Sequence, residues 1–314
     1  MIPANVTVRQ LRYLVALADT LHFGRAAAAC HVSQPSLSAQ IQQLEDALGT
    51  GLVERTKHRV LLTPAGEDAV RRARDILARL DDLSQAVRAA GRPLSGVLRL
   101  GVIPTVGPYL LPRVLPTLRG AYPELKLYLR EDLTERLLDR LRGGDLDAAL
   151  LALPLAESWL DQAEVYDEPF LVALPPGHRL AARTALTESD LRGESLLLLE
   201  DGHCFRDQAL HVCHLAGAAE SDGFAATSLA TLMEMVAGGL GLTLVPALAA
   251  PAPGPGTGVT IRPFAAPQPS RTMALVWRRG SPRADDLARI AEVLRDCLPD
   301  GLRRAKAAAA GMAR

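Results

Sequence analysis

Two hydrophobic periodicities divide the chain near residue 92. Before that point, apolar residues recur at helical spacing and polar capping residues mark where helices begin. Thr7 and Gln10 form a predicted capping box, in which each side chain bonds the backbone of the other. The helix that follows should bury one apolar face, made of Leu11, Leu14, Leu17, Ala18 and Leu21.

A second and a third helix are predicted between residues 23 and 48. An alanine-rich helix leads from Phe23 to Cys30, and Ser33 is a natural N-cap for the next helix, with Pro35 in its first turn. Helical spacing predicts an inward face made of Leu37, Ile41, Leu44 and Leu48. The opposite face is small and polar, which suits the base edges of DNA, and consists of Pro35, Ser36, Ala39, Gln42 and Gln43.

A β-hairpin and a long helix are predicted next. Residues 52–62 alternate and carry Arg55, Lys57 and Arg59, as is typical of a wing that lies on phosphates. Thr63 and Pro64 then begin a helix whose apolar residues predict about three heptads of a coiled-coil seam between two copies of the chain. These residues are Ala69, Ala73, Ile76, Leu80, Leu83, Val87 and Ala90. An amphipathic helix packed on its own domain is the alternative, but a DNA-reading helix usually needs a partner.

Beyond Pro93, short apolar runs alternate with helical patterns, which predicts an α/β fold with a mostly parallel sheet. A segment of this length should form two lobes, with ligands bound in the crevice between them. We expect the strands Val97–Val102, Lys126–Leu129, Ala148–Leu151, Phe170–Leu174, Ser195–Leu199, Gly241–Val245 and Thr272–Trp277. The segment 251–256 is expected to be a surface connector, and residues 303–314 an alanine-rich basic tail that frays. Asp145 and Asp147 are expected to be solvated turn residues.

Composition limits the partners only weakly. The formal net charge is zero, with 12 Lys and Arg against 9 Asp and Glu in residues 1–92 and 23 against 26 in the remainder. This imbalance permits DNA binding by the N-terminal part. No apolar run is long enough to span a membrane, and the N-terminus lacks a secretory signal, so a cytoplasmic protein is expected. Any disulfide formed there is more often transient and regulatory than structural.

Candidate chemistry is concentrated around two of the four cysteines. Cys204 and Cys213 lie nine positions apart and are flanked by His203, Arg206, His211 and His214. An inert core position is one interpretation, and it is the one we adopt for Cys30 and Cys297. A zinc site is another, but the spacing fits no common zinc motif and we predict no metal and no cofactor.

Residues 9–66 resemble the winged helix-turn-helix of LysR-type transcriptional regulators. The motifs that carry this are Leu11 to Leu17, Arg25-Ala26-Ala27, Val32 to Ser38, and Leu61 with Thr63 to Gly66. The remainder of the chain is similar to the hydrogen-peroxide-sensing branch of that family. The stretches concerned are Ile103 to Pro112, Leu199 to Ala209 and Thr227-Ser228-Leu229.

The resemblance implies roles for both cysteines and for several residues around them. Cys204 would be the peroxidatic cysteine and Cys213 the resolving one. Thr105, Thr134, His203, Asp207, Arg206 and Arg271 would form the peroxide site. Thr134 also fits the N-cap of the helix that follows, and Arg206 together with a helix beginning near Phe205 would favour the reactive thiolate.

The resemblance also implies partners. We expect promoter DNA, hydrogen peroxide, a homo-oligomer built as a dimer of dimers, and RNA polymerase, and no membrane. The expected DNA contacts are Arg9, Ser33, Gln34, Pro35, Ser36, Ser38, Gln42, Arg55, Lys57 and Arg59. Gln42 and Gln43 stand where relatives often carry basic residues, so DNA affinity or sequence preference should differ here.

A disulfide between Cys204 and Cys213 would require a change of backbone. If residues 206–216 are helical, a rise of ~1.5 Å per residue separates the two cysteines by up to ~13 Å. A disulfide needs Cα atoms within roughly 7 Å, so oxidation must unwind this segment. The protein would then be a redox switch and not an enzyme. A thiol peroxidase and a regulator that answers a small metabolite in the interlobe crevice are the alternatives.

The fold class predicted from these patterns and the resemblance is α/β. A winged helix-turn-helix (1–66) precedes a linker helix with its hinge (67–96) and a two-lobed, periplasmic-binding-protein-like regulatory domain (97–304). One lobe is assigned to residues 97–168 with 271–304, the other to residues 169–270, and residues 305–314 form the tail.

Overall fold

The computed structural model describes residues 6–55, 59–89, 93–216, 219–251, 258–300 and 302–304. The chain divides into two compact units. The N-terminal unit comprises Met1–Ala90 with Arg140–Asp145, and the C-terminal unit comprises Gly91–Asp139 with Leu146–Arg314. Within the described residues, no helix has both the length and the apolar character needed to cross a membrane.

The N-terminal unit contains the predicted helices and the hairpin. The helices are α1 (Val8–Thr20), α2 (Phe23–Ala29), α3 (Gln34–Leu48) and α4 (Pro64–Ala89), and the antiparallel hairpin is β1 (Val53–Arg55) with β2 (Val60–Leu62). The capping box is confirmed, since the Thr7 hydroxyl accepts from the Gln10 amide and the Gln10 side chain accepts from the Thr7 amide. Ser33 caps α3, as predicted, by accepting from the Ser36 amide.

Two leucines expected in this core are exposed. Leu21 is the C-cap of α1 in a left-handed conformation (φ 46°), and Leu48 is the last residue of α3 before Gly49. Helical spacing alone placed them inward, but the chain turns away from the core at both positions. Tyr13 is buried instead, together with Leu14, Leu17, Leu37, Ile41 and Leu44.

Helix α4 starts as predicted and is only partly covered within its own unit. The Thr63 hydroxyl accepts from the Gly66 amide at 2.9 Å and donates to the Gly51 carbonyl at 2.8 Å. Val70 and Ala73 are buried in the first turns, whereas Ile76 and Leu83 are 46% and 62% exposed. The apolar seam therefore continues beyond the part that packs on its own unit.

The C-terminal unit contains the predicted strands and several more. Its strands are β3 (Gly96–Val102), β4 (Leu125–Glu131), β5 (Ala148–Ala152), β6 (Leu160–Leu174), β7 (Ser195–Leu199), β8 (Ala219–Ala226), β9 (Thr243–Pro246), β10 (Thr260–Pro263), β11 (Ser270–Arg278) and β12 (Arg303–Arg304). Its helices are α5 (Gly107–Ala121), α6 (Thr134–Arg142), α7 (Cys204–Ala216), α8 (Leu229–Ala237) and α9 (Ala284–Asp296).

The expectation of a mostly parallel sheet is wrong. Strand β3 pairs in parallel with β4 and β5, and β7 pairs in parallel with β8. All strands that pair with β6, namely β9, β10, β11 and β12, run antiparallel to it, as does β11 to β5. The sheet is mixed because β6 runs antiparallel to its neighbours. Strand β6 is continuous over 15 residues, and only its second, apolar part was predicted.

Strand β6 passes through two lobes. Its first part pairs with β11, next to β5 and β3, and its second part pairs with β9 and β10. A separate apolar core forms around the second part and includes Phe170, Val172, Leu197, Phe205 and Leu244. The predicted two-lobed organisation is confirmed.

Two smaller expectations differ from the structure. Asp147, taken for a solvated turn residue, is buried, and its carboxylate accepts from the Arg99 amide at 2.6 Å. The tail begins in an ordered strand, since Arg303 and Arg304 pair with β6. Residues 305–314 and all but the first residue of the connector at 251–256 lie outside the described residues.

Candidate functional site

A tight turn between β7 and α7 places Cys204. Gly202 has φ +92°, a conformation that L side chains rarely adopt, and a Cβ there would lie 3.1 Å from Leu133 Cδ1. Helix α7 then begins at Cys204 itself, whose side chain is half-buried. The thiol therefore lies at the positive end of the helix dipole, where negative charge is favoured.

Cys204 opens onto a small cavity. The cavity is lined by Ile103, Pro104, Thr105, Leu133, Thr134, His203, Cys204 and Phe205. The space that the centre of a water molecule can occupy in it is about 10 Å³. This is about the space that one water needs, whereas pockets for drug-sized ligands measure roughly 300–1,000 Å³. The cavity is therefore of the size of a single water-sized guest and far smaller than a pocket for a metabolite.

Two threonines line this cavity, and their hydroxyls are bonded differently. Thr105 follows β3 and accepts a hydrogen bond at 2.9 Å from Nη1 of Arg271. Thr134 Oγ1 is buried and has no hydrogen-bond partner within the described residues. A buried hydroxyl without a partner is unusual, so it indicates a place for a polar guest.

The N-cap role expected for Thr134 is wrong. Helix α6 begins at Thr134, and the Thr134 hydroxyl accepts no backbone N–H within the described chain. The carboxylate of Asp132 accepts from the Leu133 amide at 3.0 Å instead. The Thr134 hydroxyl therefore remains available to the cavity.

His203 precedes Cys204 and is 9% exposed. Burial lowers the pKa of His203, and the nearby carboxylate of Glu200 opposes this only in part. The imidazole is therefore neutral at neutral pH, with one nitrogen that donates and one that accepts. It can exchange a proton with a guest in the cavity without placing a fixed charge there.

Arg271 supplies a buried positive charge. Its side chain is 1% exposed, lies 2.7 Å from Glu168 Oε2, and stands over the Phe205 ring with Cζ 5.5 Å from the ring centre. Burial acts against this charge, but Glu168, and less strongly Tyr166 and Cys204, holds the pKa of Arg271 above its usual value. The interaction with Cys204 means that a thiolate there is attracted to the guanidinium.

The predicted helix between the cysteines is present. Cys204 and Cys213 belong to the same unbroken helix α7, although the side chain of Cys213 lies outside the described residues. A rise of ~1.5 Å per residue keeps their Cα atoms ~13 Å apart, well beyond the roughly 7 Å of a disulfide.

Three residues predicted for the peroxide site, Arg206, Asp207 and Arg271, do not line the cavity, although Arg271 donates to Thr105, which does. Arg206 bonds the Leu199 carbonyl at 3.1 Å and Asp201 at 2.8 Å, so it braces the turn before α7. Asp207 is exposed, and neither residue lines the cavity. Two positions along a helix correspond to a rotation of about 200°, so Arg206 faces away from Cys204 despite its closeness in sequence.

Sequence reasoning missed three residues near Cys204. Glu168 binds Arg271. Phe205 lies under the Arg271 guanidinium and meets Phe170 edge to face, with the two ring centres 5.3 Å apart. Gln208 has a buried side-chain oxygen with no partner within the described residues. A local signal existed only for Gln208, because position i+4 lies on the same helical face as Cys204.

The expected DNA-binding face is accessible. Arg9, Ser33, Gln34, Pro35, Ser36, Gln42 and Arg59 are exposed, and Ser38 is half-buried. Part of this face is already hydrogen-bonded within α3, since Gln42 donates to Asp46 at 3.1 Å. Lys57 and the side chain of Arg55 lie outside the described residues.

Comparison with known proteins accounts for both units. A model of the bacterial regulatory helix-turn-helix protein of the lysR family matches residues 8–67, and a model of the LysR substrate binding domain matches residues 91–298. The chain belongs to the LysR family. This assignment confirms the resemblance seen in the sequence.

Within the LysR family the chain is similar to peroxide regulators. It is 48% identical over 290 residues to the DNA-binding transcriptional dual regulator OxyR of Escherichia coli, covering 92% of this chain and 95% of that protein. A full-length OxyR variant from Pseudomonas aeruginosa matches with a TM-score of 0.75 and 41% identity, covering 93% of this chain and 95% of that one. An OxyR mutant from Corynebacterium glutamicum with hydrogen peroxide bound matches with a TM-score of 0.63 and 36% identity, covering 93% and 92%.

Proposed function

We propose that this LysR-family protein is a transcriptional regulator that senses hydrogen peroxide through Cys204. The observation that carries the proposal is the cavity beside Cys204. It is large enough for one very small guest, and the hydroxyl of Thr134, which lines it, has no partner within the described residues. The peroxide-bound solved relative supports the same assignment.

The site residues can carry the reaction in two steps. The Cys204 thiolate attacks one peroxide oxygen, the O–O bond breaks, and the leaving hydroxide takes a proton from Thr105 or His203 and becomes water. Cys204 is thereby oxidised to a sulfenic acid. Cys213 then attacks that sulfur, the S–S bond forms, and a second water leaves. Two thiols are oxidised and one peroxide is reduced to two waters.

The second step supplies the switch. Helix α7 and the disulfide cannot coexist, because the ~13 Å between positions 204 and 213 exceeds the reach of a disulfide. Oxidation must therefore unwind part of α7. Such an order change is a recognised way for a local modification to select between two global states.

We assign DNA binding as the output of the switch. The exposed polar face of α3 would read a promoter, and the exposed residues Ile76 and Leu83 of α4 would join two copies of the chain. The oxidised form would act as a dimer of dimers and recruit RNA polymerase, in a cytoplasm that keeps the resting thiols reduced. In this role one peroxide is consumed per switching event, which distinguishes a regulator from a peroxidase.

A thiol and DNA assay tests both halves of the proposal. Reduced protein would receive one equivalent of peroxide, followed by mass spectrometry of the cysteines and footprinting on promoter DNA. We expect a bridge between Cys204 and Cys213, loss of two thiols, and a changed footprint.

The cysteine variants provide the controls for this assay. Cys204→Ser should abolish the response, Cys213→Ser should stop at the sulfenic acid, and Cys297→Ser should behave as the wild type. Wild-type protein that retains all its thiols, or a footprint that ignores the bridge, contradicts the proposal.

A further inference from the structure

Glu168 is a buried carboxylate for which the reaction described above has no use. It lies on β6 directly opposite Arg271 of β11 in the antiparallel register, and its side chain is fully buried. Its Oε2 accepts from Arg271 Nε at 2.8 Å, and its Oε1 accepts from the Leu248 amide at 2.8 Å. Both oxygens are therefore held, one by a strand and one by the short 3-10 helix at residues 247–249.

This clamp determines which way the guanidinium points. With Nε and Nη2 facing Glu168, Nη1 of Arg271 donates to Thr105 Oγ1 at 2.9 Å, and Nη2 lies 3.4 Å from the Thr105 carbonyl. Arginine has five N–H donors and no acceptor. The Thr105 hydroxyl can therefore only accept from Arg271, and no described residue accepts its proton.

The remaining direction for that proton is the cavity, which Thr105 lines. A hydroxyl that accepts from a cation is also a better donor, because hydrogen bonds in a chain polarise one another. Donation at this point would supply the proton that the leaving peroxide oxygen needs.

We propose that Glu168 is a positioning residue for the reaction of Cys204 with peroxide, because it fixes Arg271 so that the Thr105 proton is directed into the cavity. The inference rests on the proposed function. It adds a residue that touches neither peroxide nor Cys204 and acts through Arg271 and Thr105.

The test compares two reagents on one thiol. Hydrogen peroxide needs a donor for its leaving oxygen, whereas iodoacetamide releases iodide and needs none. Glu168→Gln is nearly isosteric, but one of the two accepting oxygens becomes an NH2 group, which only donates. The bond from Arg271 or the bond from the Leu248 amide is therefore lost. We expect the rate constant of Cys204 with peroxide to fall ~10-fold or more, since small misplacements of catalytic groups have effects of this order.

A general structural defect around Cys204 would slow the iodoacetamide reaction as well. This reaction therefore separates a positioning role of Glu168 from such a defect. In Glu168→Gln the Arg271 charge is less neutralised and attracts the Cys204 thiolate more strongly. We therefore expect alkylation to be as fast as in the wild type or faster. In a Thr105→Val background, Glu168→Gln should produce no further loss with peroxide.

Asp147→Asn is the matched control, because it also removes a buried carboxylate but lies beside Arg99 in the middle of β3, away from Thr105 and the cavity. It should leave both rate constants unchanged. Glu168→Asp keeps the charge, draws Arg271 away from Thr105, and should show a smaller loss with peroxide. It serves as the test variant if Glu168→Gln does not fold.

Three results would overturn the inference: an unchanged peroxide rate constant, a parallel fall with both reagents, or an additive loss in the Thr105→Val background. Failure of the proposed function itself would be recognised separately, because wild-type Cys204 would then not react with peroxide.

Discussion

Helices α7 and α9 have the same length but are anchored differently. Each has 13 residues and a cysteine at one end, Cys204 as the first residue of α7 and Cys297 as the C-cap of α9. Helix α9 buries four apolar residues, Leu287, Ile290, Ala291 and Leu294, and its Arg295 donates to the Glu164 carbonyl at 2.9 Å. Among the described side chains of α7, residues 204–212, only Phe205, Ala209 and Val212 are buried.

The difference indicates which helix can unwind. Burial of a side chain contributes in proportion to its apolar area, so over residues 206–212 the buried alanine and valine hold α7 less firmly than two leucines and an isoleucine hold α9. Phe205, the largest buried side chain among residues 204–212, is next to Cys204 at the N-terminal end of α7. The turns that lead to Cys213 can therefore leave the core while Cys204 stays beside the cavity.

The largest expected effect is on amide hydrogen exchange. On formation of the disulfide, the amides of residues 205–215 should lose at least ~10²-fold in protection, because the helix that protects them has opened. The amides of α9 should keep theirs. Oxidised Cys213→Ser, which cannot form the bridge, should retain protection in α7. A bridged protein with α7 still protected would show that the two helices respond alike.

The next effect concerns the hydroxyl beside each thiol. Thr105→Val should slow the reaction of Cys204 with peroxide by ~10²-fold, since a positioned proton donor contributes about this much. Thr117→Val is the matched control, because the Thr117 hydroxyl lies 3.5 Å from Cys297 Sγ. Rapid-quench alkylation with mass spectrometry measures both rate constants. Equal rate constants for Thr105→Val and the wild type would remove Thr105 from the mechanism.

A smaller effect tests whether α7 is helical only in the reduced state. His211 is exposed on α7 and Ala288 is exposed on α9. Glycine is less favourable than alanine in a helix by about 1 kcal/mol, which corresponds to ~20 mV for a two-electron couple. The disulfide of His211→Gly should therefore have a reduction potential ~20 mV more negative than that of His211→Ala, because glycine destabilises only the reduced, helical state.

The same exchange in α9 is the control. Ala288→Gly should lower the free energy of unfolding by about 1 kcal/mol and leave the potential unchanged, because α9 is helical in both redox states. Titration against glutathione buffers measures the potential. An equal shift of potential from both helices would contradict the comparison.

The parts of the fold that were predicted correctly are those with a local cause. Thr7, Ser33 and Thr63 cap helices through bonds to residues three positions away, so their signal lies in adjacent sequence. Where the same reasoning failed, at Leu21 and Leu48, periodicity continued to the point where the chain turns. Periodicity describes a helical face but does not show where the helix ends.

Beyond the cysteine cluster, which stands out in the sequence, the candidate site was predictable only through the resemblance. Arg271 lies 103 positions from Glu168 and 166 from Thr105, and the antiparallel pairing of β6 with β11 that joins them was not foreseen. No local pattern encodes such a pairing. Conversely, Arg206 was selected for its closeness to Cys204 in sequence, and helix geometry turns it away.

The smallest effect is a pH dependence of stability that His203 gives to the start of α7. Because burial lowers the pKa of His203, the unfolded chain takes up a proton at higher pH than the folded chain does. The stability is therefore fully present above the ordinary histidine pKa of about 6.5 and is lost as the pH falls through the folded value. His203→Gln removes this dependence.

Urea unfolding of reduced protein between about pH 7.5 and pH 5.5 measures it, since histidine titrates in this range. The wild type should lose more stability on acidification than His203→Gln does. Equal losses of stability in the wild type and His203→Gln would mean that His203 is solvated in the folded protein. The neutral proton donor proposed beside Cys204 would then carry a charge at the lower end of this pH range.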